Sequence, residues 1–293
     1  MGVGEWFSGF CAQQRISTDK RSSISDRTAR ITARLNLDFR GLSSDYSNRF
    51  YVGSYGRGTA IPSVSDVDLL YQLPFETYQQ YNGYTGNGQS ALLSAVRSSL
   101  QLSYPSSAIA GDGQVVVIRF NDGIEFEILP AFLNDEGGYT FADTNGGGTW
   151  RSCKPKHEMD AFLSRNAECN ANLGELCRMV RAWRDTNAVP MGGMLIDTLA
   201  FQFIISWEYR DKSYLYYDWM TRDFFAFLAS QDPQKTYWMA PGSGSYVYRM
   251  GTFEYKARQA QLRAIEAIEC ATNSHDWSAK QKYREIYGTS FPA

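Results

Sequence analysis

The chain has 293 residues, 43% hydrophobic, 20% charged and 15% aromatic, the composition of a globular protein with length for one large domain or two ordinary ones. No apolar run approaches the roughly 20 residues that span a bilayer, and the start "MGVGEWFSGF" lacks the basic flank and long apolar run of a signal peptide, so the sequence reads as cytoplasmic with no membrane partner. A formal net charge of -2 gives no global basic field, which argues against an obligatory DNA or RNA partner.

The opening Met-Gly is followed by Trp6, where a myristoylation signal needs Ser or Thr. Apolar residues at helical spacing (Ile24, Ala29, Ile31, Leu35, Leu37) with no Gly or Pro before Gly41 predict a helix over about 22–42. A short strand, "RFYVGS", then leads through the loop "YGRGTAIPSVS" into the strand "DVDLLYQL". A helix over about 89–102 precedes "GQVVVIRFNDGIEFEILPAF", two alternating runs joined by a strong hairpin signal, "NDG". Beyond "TNGGGTW" the patterns turn helical, in "ANLGELCRMVRAWRDTN", "GMLIDTLAFQFIISWEY" and "EYKARQAQLRAIEAIECA". The expected organisation is a mixed α and β lobe over 1–150 and a helical lobe over 151–293, with "MAPGSGSYVYRM" the best candidate for a flexible connection.

The chemistry concentrates in "YVGSYGRGTAIPSVSDVDLLYQLP". Acidic residues are poor strand formers and costly to bury unpaired, yet Asp66 and Asp68 open an apolar strand. On a strand they share one face, about 6 to 7 Å apart, which suits hard divalent cations. A third carboxylate from a neighbouring strand would complete a two-metal site, and the hairpin offers Glu125 and Glu127, which also share a face. Ahead of the pair, Gly53 allows close backbone approach to an anion, and the Ser54 hydroxyl and neighbouring amides can donate to phosphate oxygens. Phosphate donors beside metal-holding carboxylates make a nucleoside triphosphate site.

These residues carry a resemblance. "GSYGRGTAIPSVSDVDLL" resembles the signature of the nucleotidyltransferase (polymerase beta-like) fold, and "FEILPAF", "CKPKHEMD", "LCRMVRAW" and the ending "IYGTSFPA" resemble successive motifs of the cGAS/DncV-like (CD-NTase) family, the bacterial cyclic oligonucleotide synthases. The resemblance runs from about Ser22 to the last residue. It implies an α+β fold, a mixed-sheet lobe packed on a helical lobe that closes a nucleotide cleft. It also implies that Asp66, Asp68 and Glu127 hold two Mg²⁺ or Mn²⁺ ions, with Glu127 a candidate proton acceptor. Gly53, Ser54, Arg57 and Arg181 are its implied nucleotide-binding residues. The implied product is a cyclic di- or trinucleotide made from ATP, GTP or both, acting on a separate effector in bacterial anti-phage (CBASS) defence. The small C-terminal Ala293 resembles family members that a ubiquitin-like ligation system joins to other proteins.

The chain departs from the family in three places. Glu127 stands where Asp is usual, Arg181 replaces a phosphate-contacting lysine, and Met194 occupies the place of a base-stacking tyrosine found in related eukaryotic enzymes. Transfer of a nucleotide to RNA, an antibiotic or a protein is the alternative within the fold, and an inactive nucleotide-binding protein the alternative outside catalysis. Tyr71 reads as core before base contact, and the series Trp207, Tyr209, Tyr214, Tyr216, Tyr217 and Trp219 as packing or surface contact before base stacking. His157 and His275 read as structural. The five scattered cysteines lack a Cys-x-x-Cys pair, so Cys153, Cys169 and Cys177 read as structural thiols in preference to a zinc site with His157.

Overall fold

The computed structural model describes residues 2–63 and 66–293; Met1, and Val64 and Ser65 of the loop ahead of the acidic strand, lie outside the described residues. Two compact units interleave along the chain. One comprises Ser17–Gly56 and Ser63–Met159, the other Met1–Ile16, Arg57–Pro62 and Asp160–Ala293. Helix α1 (Val3–Gln13) belongs to the second, and α2 (Thr18–Arg40) opens the first. Helix α2 starts earlier than its apolar periodicity suggests because the Ser17 hydroxyl accepts the Lys20 amide at 3.2 Å, and it stops where Gly41 turns left-handed at φ 59°.

The first unit continues with β1 (Arg49–Tyr51), α3 (Gly53–Gly56), β2 (Asp66–Gln72), α4 (Phe75–Asn82), α5 (Gly88–Ser103), β3 (Ala108–Asp112), β4 (Val115–Arg119), β5 (Glu125–Leu133), β6 (Tyr139–Asp143) and β7 (Thr149–Cys153). Its sheet runs β1-β2-β5-β4-β3, with β6 pairing β5 and β7 pairing β6. Only β2 and β5 pair in parallel among these strands, so the sheet is mixed and the fold is α+β, as expected. The "NDG" turn does join an antiparallel pair, closed by Phe120 N donating to Ile124 O at 3.0 Å.

Alternation divides the sheet's two faces. Val67, Leu69 and Tyr71 of β2 and Phe126 and Ile128 of β5 pack against Ile24, Ile31 and Leu35 of α2 and Leu92, Val96 and Leu100 of α5. The intervening residues, Asp66, Asp68, Glu125 and Glu127, therefore emerge on the opposite face. Tyr71 is core, with its hydroxyl donating to Asn36 Oδ1 at 3.0 Å.

Asn36 is fully buried and uses its whole amide: Oδ1 also accepts from Asn48 Nδ2 at 2.9 Å, and Nδ2 donates to the carbonyls of Ser44 and Ser47 at 2.8 and 3.1 Å. It pins the loop that feeds β1 and, through it, the Gly53 turn.

In the second unit, α6 (Pro155–Glu168) is followed by α7 (Asn172–Thr186), α8 (Gly193–Ser206), α9 (Tyr217–Ala229), β8 (Tyr237–Met239), β9 (Tyr246–Tyr248), α10 (Glu254–Thr272) and α11 (Asp276–Tyr287). Phe291 is fully buried among Phe7, Phe10, Tyr283 and Tyr287, which explains why α1 folds with this unit. The segment read as a flexible connection is instead part of a hairpin. Trp238 and Val247 pair in register and are buried, and Ala240 N donates to Ser245 O at 2.8 Å across the turn. In the aromatic series, Trp207 and Tyr217 are buried and Tyr209 stacks on Tyr216 at 4.9 Å, so packing accounts for it. Cys11, Cys169 and Cys177 are buried, and no described helix is long and apolar enough to cross a membrane.

Replacing Asn36 with Ala strands the buried Tyr71 hydroxyl, the half-buried Asn48 amide and two carbonyls, so Asn36→Ala should lower unfolding free energy by about 3 kcal/mol in urea titration. A change below about 0.5 kcal/mol would show that the loop is held by other means.

Candidate active site

The site in the sheet unit is set by strand register. In the parallel β2–β5 pair, Asp66 lies opposite Glu125 and Asp68 opposite Glu127, so four carboxylates form a block on one face with neighbouring Cα atoms about 5 Å apart across the strands. Register with β4 then separates the two glutamates. Arg119 lies opposite Glu125 and grips it with both arms of its fork, Nε to Oε2 at 2.7 Å and Nη2 to Oε1 at 3.2 Å. Glu127 lies opposite Val117 and, among the described residues, has no hydrogen-bond or ion-pair partner.

Half-buried Glu127 holds its proton above the ordinary glutamate range, first because burial disfavours its charge and then because Asp68, Asp66 and Glu125 repel it. Among the described residues, no three His, Cys, Asp or Glu side chains come together tightly enough to enclose a metal ion. The donors are all hard oxygens, and an open cluster leaves coordination positions for water and phosphate, which fits Mg²⁺ or Mn²⁺ better than a closed structural ion.

Gly53 is fitted to Asp68. Val52 N donates to Asp68 O at 3.0 Å, and Gly53 then turns with φ at +61°. A Cβ at this position would overlap the Asp68 carboxylate, so only glycine permits both the backbone angle and the approach. Ser54 follows on α3, which closes with Gly56 N donating to Val52 O at 2.9 Å.

The two expected arginines lie in the other unit, and they are brought together by a residue that the sequence reading passed over. Asp197 on α8 is fully buried and accepts from Arg181 Nη1 at 2.6 Å, Arg181 Nη2 at 3.0 Å, Arg57 Nε at 2.9 Å and Thr59 Oγ1 at 3.1 Å. Burial alone would push its carboxyl up, but Arg181 and Arg57 outweigh it and bring the pKa down to about 2. The signal was present in "GMLIDTLAFQFIIS", where one acid interrupts an apolar helix and must find a buried cation. Met194, in the first turn of the same helix, packs against the apolar core.

Residues 1–166 match the family described as the Second Messenger Oligonucleotide or Dinucleotide Synthetase domain (SMODS). The chain belongs to this family. As a SMODS protein it is an enzyme of the nucleotidyltransferase class, and its fold is that of the cGAS/DncV-like nucleotidyltransferases. E. coli MS115-1 CdnC solved with ATP is similar over 99% of both chains, with a TM-score of 0.71 at 14% identity. Vibrio cholerae DncV in its GTP-bound form is similar over 100% of this chain and 96% of its own, with a TM-score of 0.70 at 13% identity. Bradyrhizobium diazoefficiens CdnG in complex with GTP covers 97% and 94%, with a TM-score of 0.68 at 11% identity. At these identities the likeness speaks for the fold alone. No curated protein matches the chain in sequence.

The raised Glu127 carboxyl has a pH consequence. The folded state holds this proton more tightly than the unfolded chain, so its contribution to stability falls as pH rises from the ordinary glutamate value through the raised one. Glu127→Gln should therefore raise the melting temperature of the metal-free protein at pH 7, by about 2 °C, with the difference closing near pH 4. A variant less stable than wild type at pH 7 would show that the ionised glutamate is favourably paired.

Proposed function

We propose that this SMODS enzyme joins nucleoside triphosphates into a cyclic di- or trinucleotide, with Asp66, Asp68 and Glu127 holding two divalent cations. The observation that carries this reading is the in-register carboxylate cluster in which Arg119 neutralises Glu125 while Glu127, opposite Asp68, has no hydrogen-bond or ion-pair partner among the described residues. Relatives solved with ATP and with GTP support those two triphosphates as substrates.

Bound between these carboxylates, Mg²⁺ or Mn²⁺ supplies Lewis-acid stabilisation of the charge that develops on the transferring phosphate and the departing pyrophosphate. The residues of the chain do the rest. The Ser54 hydroxyl and turn amides donate to phosphate oxygens, with Gly53 keeping the backbone close to Asp68. Glu127 accepts the proton of the acceptor ribose hydroxyl. The hydroxyl oxygen bonds to the α-phosphorus, the bond from that phosphorus to the bridging oxygen breaks, and pyrophosphate leaves. A second such transfer within the linear product closes the ring. The enzyme acts in the bacterial cytoplasm, and its product activates a separate effector in anti-phage defence.

Purified protein with Mn²⁺ or Mg²⁺ and all four nucleoside triphosphates should yield phosphatase-resistant products, detected by mass spectrometry. Asp68→Asn should reduce them at least about 100-fold, because it removes a charge from the cation-holding set. Linear or acceptor-linked products in their place would redirect the reading to another nucleotidyl transfer. Undiminished product from the variant would remove Asp68 from the chemistry.

A further inference from the structure

The β8–β9 ribbon of the helical unit has one buried side and one bare one. Trp238 and Val247 pair in register and point into the core, whereas Tyr237, Met239, Tyr246 and Tyr248 alternate with them and point outward. Met250 continues the outward series, because Arg249 turns inward over the rings of Trp238 and Phe253, 5.2 and 4.8 Å from their centroids. Arg249 also donates to the carbonyls of Lys235 and Asp232 and pairs with Glu254, so the ribbon is tied down from beneath although Gly242 and Gly244 lie in its turn.

The outward face is not covered by a third strand, since among the described residues β8 and β9 pair only with each other. Its three tyrosine rings touch one another, Tyr237 to Tyr246 at 4.7 Å, Tyr246 to Tyr248 at 6.1 Å and Tyr237 to Tyr248 at 6.3 Å, a cross-strand cluster that steadies the hairpin. Even so, these tyrosines stay 42% to 65% exposed, and hairpin stability does not account for Met239 and Met250, which are 47% and 71% exposed. At about 200 Å² for a whole side chain, the five residues present about 550 Å² to solvent. That is near the upper limit of the apolar patch a monomer ordinarily leaves in water.

The charge pattern selects the occupant. From Thr236 to Tyr248 the sequence has no Asp, Glu, Lys, Arg or His, and the flanking Lys235 and Arg249 are both drawn over Trp238. A nucleic-acid strand needs cations beside stacking rings, and an acidic or basic partner needs the opposite charge; this face offers neither. A two-fold axis sets a face against its own copy, an arrangement that like charges oppose and that neutral tyrosine and methionine accept. Tyrosine and methionine are also enriched at interfaces, whose centres are depleted of charge. Two such faces bury about 1,100 Å² together, enough for a specific, reversible contact and less than a permanent dimer has. We propose that the β8–β9 face docks on the same face of a second copy of this chain, forming a two-fold dimer that assembles in the micromolar range. The contact requires no nucleotide.

Sedimentation velocity of the full chain from about 1 to about 200 µM tests it, for wild type, Tyr248→Lys, Tyr248→Glu and an equal mixture of the two variants. The wild-type mass should rise from 33.1 kDa toward twice that, with half-association at about 10 µM. Each variant sets like charges face to face and should weaken association at least about tenfold with an unchanged melting temperature, and the mixture should recover it because opposite charges then meet. If the Tyr248 variants melt early, Met250→Lys and Met250→Glu, beyond the strands, take their place with the same expectation. A wild-type mass constant at 33.1 kDa would overturn the proposal, and binding of that monomer to phosphatidylcholine vesicles would assign the face to a membrane instead. Association unchanged in both charged variants, or a mixture no stronger than its components, would place the dimer contact elsewhere and overturn it too.

Discussion

The close approach of Gly53 to the Asp68 carboxylate is the constraint on which the sheet unit's site depends. Glycine is required there twice, once by a left-handed backbone angle and once because a side chain would overlap Asp68. The bond from Val52 N to Asp68 O fixes the turn to the strand, and Asn36 fixes the loop that leads into β1. A flexible-looking glycine-serine turn is thus a rigid neighbour of the acidic strand. Rigidity matters because electrostatic catalysis needs donors already aimed when charge develops.

A second constraint is electrostatic and runs the other way. Packing α2 and α5 on one face of the sheet forces every alternate residue of β2 and β5 onto the other, so four carboxylates share that face, where Arg119 grips Glu125. Burial first, and repulsion from Asp68, Asp66 and Glu125 second, raise the Glu127 carboxyl, so its ionisation at neutral pH costs the folded chain stability. The helical unit carries the opposite imbalance, two arginines on one buried aspartate.

Local chemistry made much of this legible in the sequence. Alternation put Asp66 and Asp68 on one face, "NDG" gave the β4–β5 hairpin, and apolar periodicity gave α2, α7, α8 and α10. What escaped depends on distant partners. Alternation leaves Glu125 and Glu127 equivalent, and only register with Arg119 of β4 tells them apart. Arg57 and Asp197 meet across 140 residues of chain, a pairing for which sequence offers the lone acid in an apolar helix but not its partner. The segment over 239–250 reads as a connection because Pro241, Gly242 and Gly244 stand out in its composition, whereas the burial of Trp238 and Val247 in the hairpin over 237–248 decides its structure.

The central claim is that Asp66, Asp68 and Glu127 hold cations against a triphosphate bound at the Ser54 turn. Crystals grown with Mn²⁺ and a non-hydrolysable ATP analogue, measured for anomalous scattering from manganese, test it most directly. The account predicts manganese bound by Asp66, Asp68 and Glu127, with a phosphate oxygen within hydrogen-bond distance of Ser54 and Glu125 still on Arg119. Manganese held by Glu125, or a bound nucleotide with no metal at these carboxylates, would contradict it.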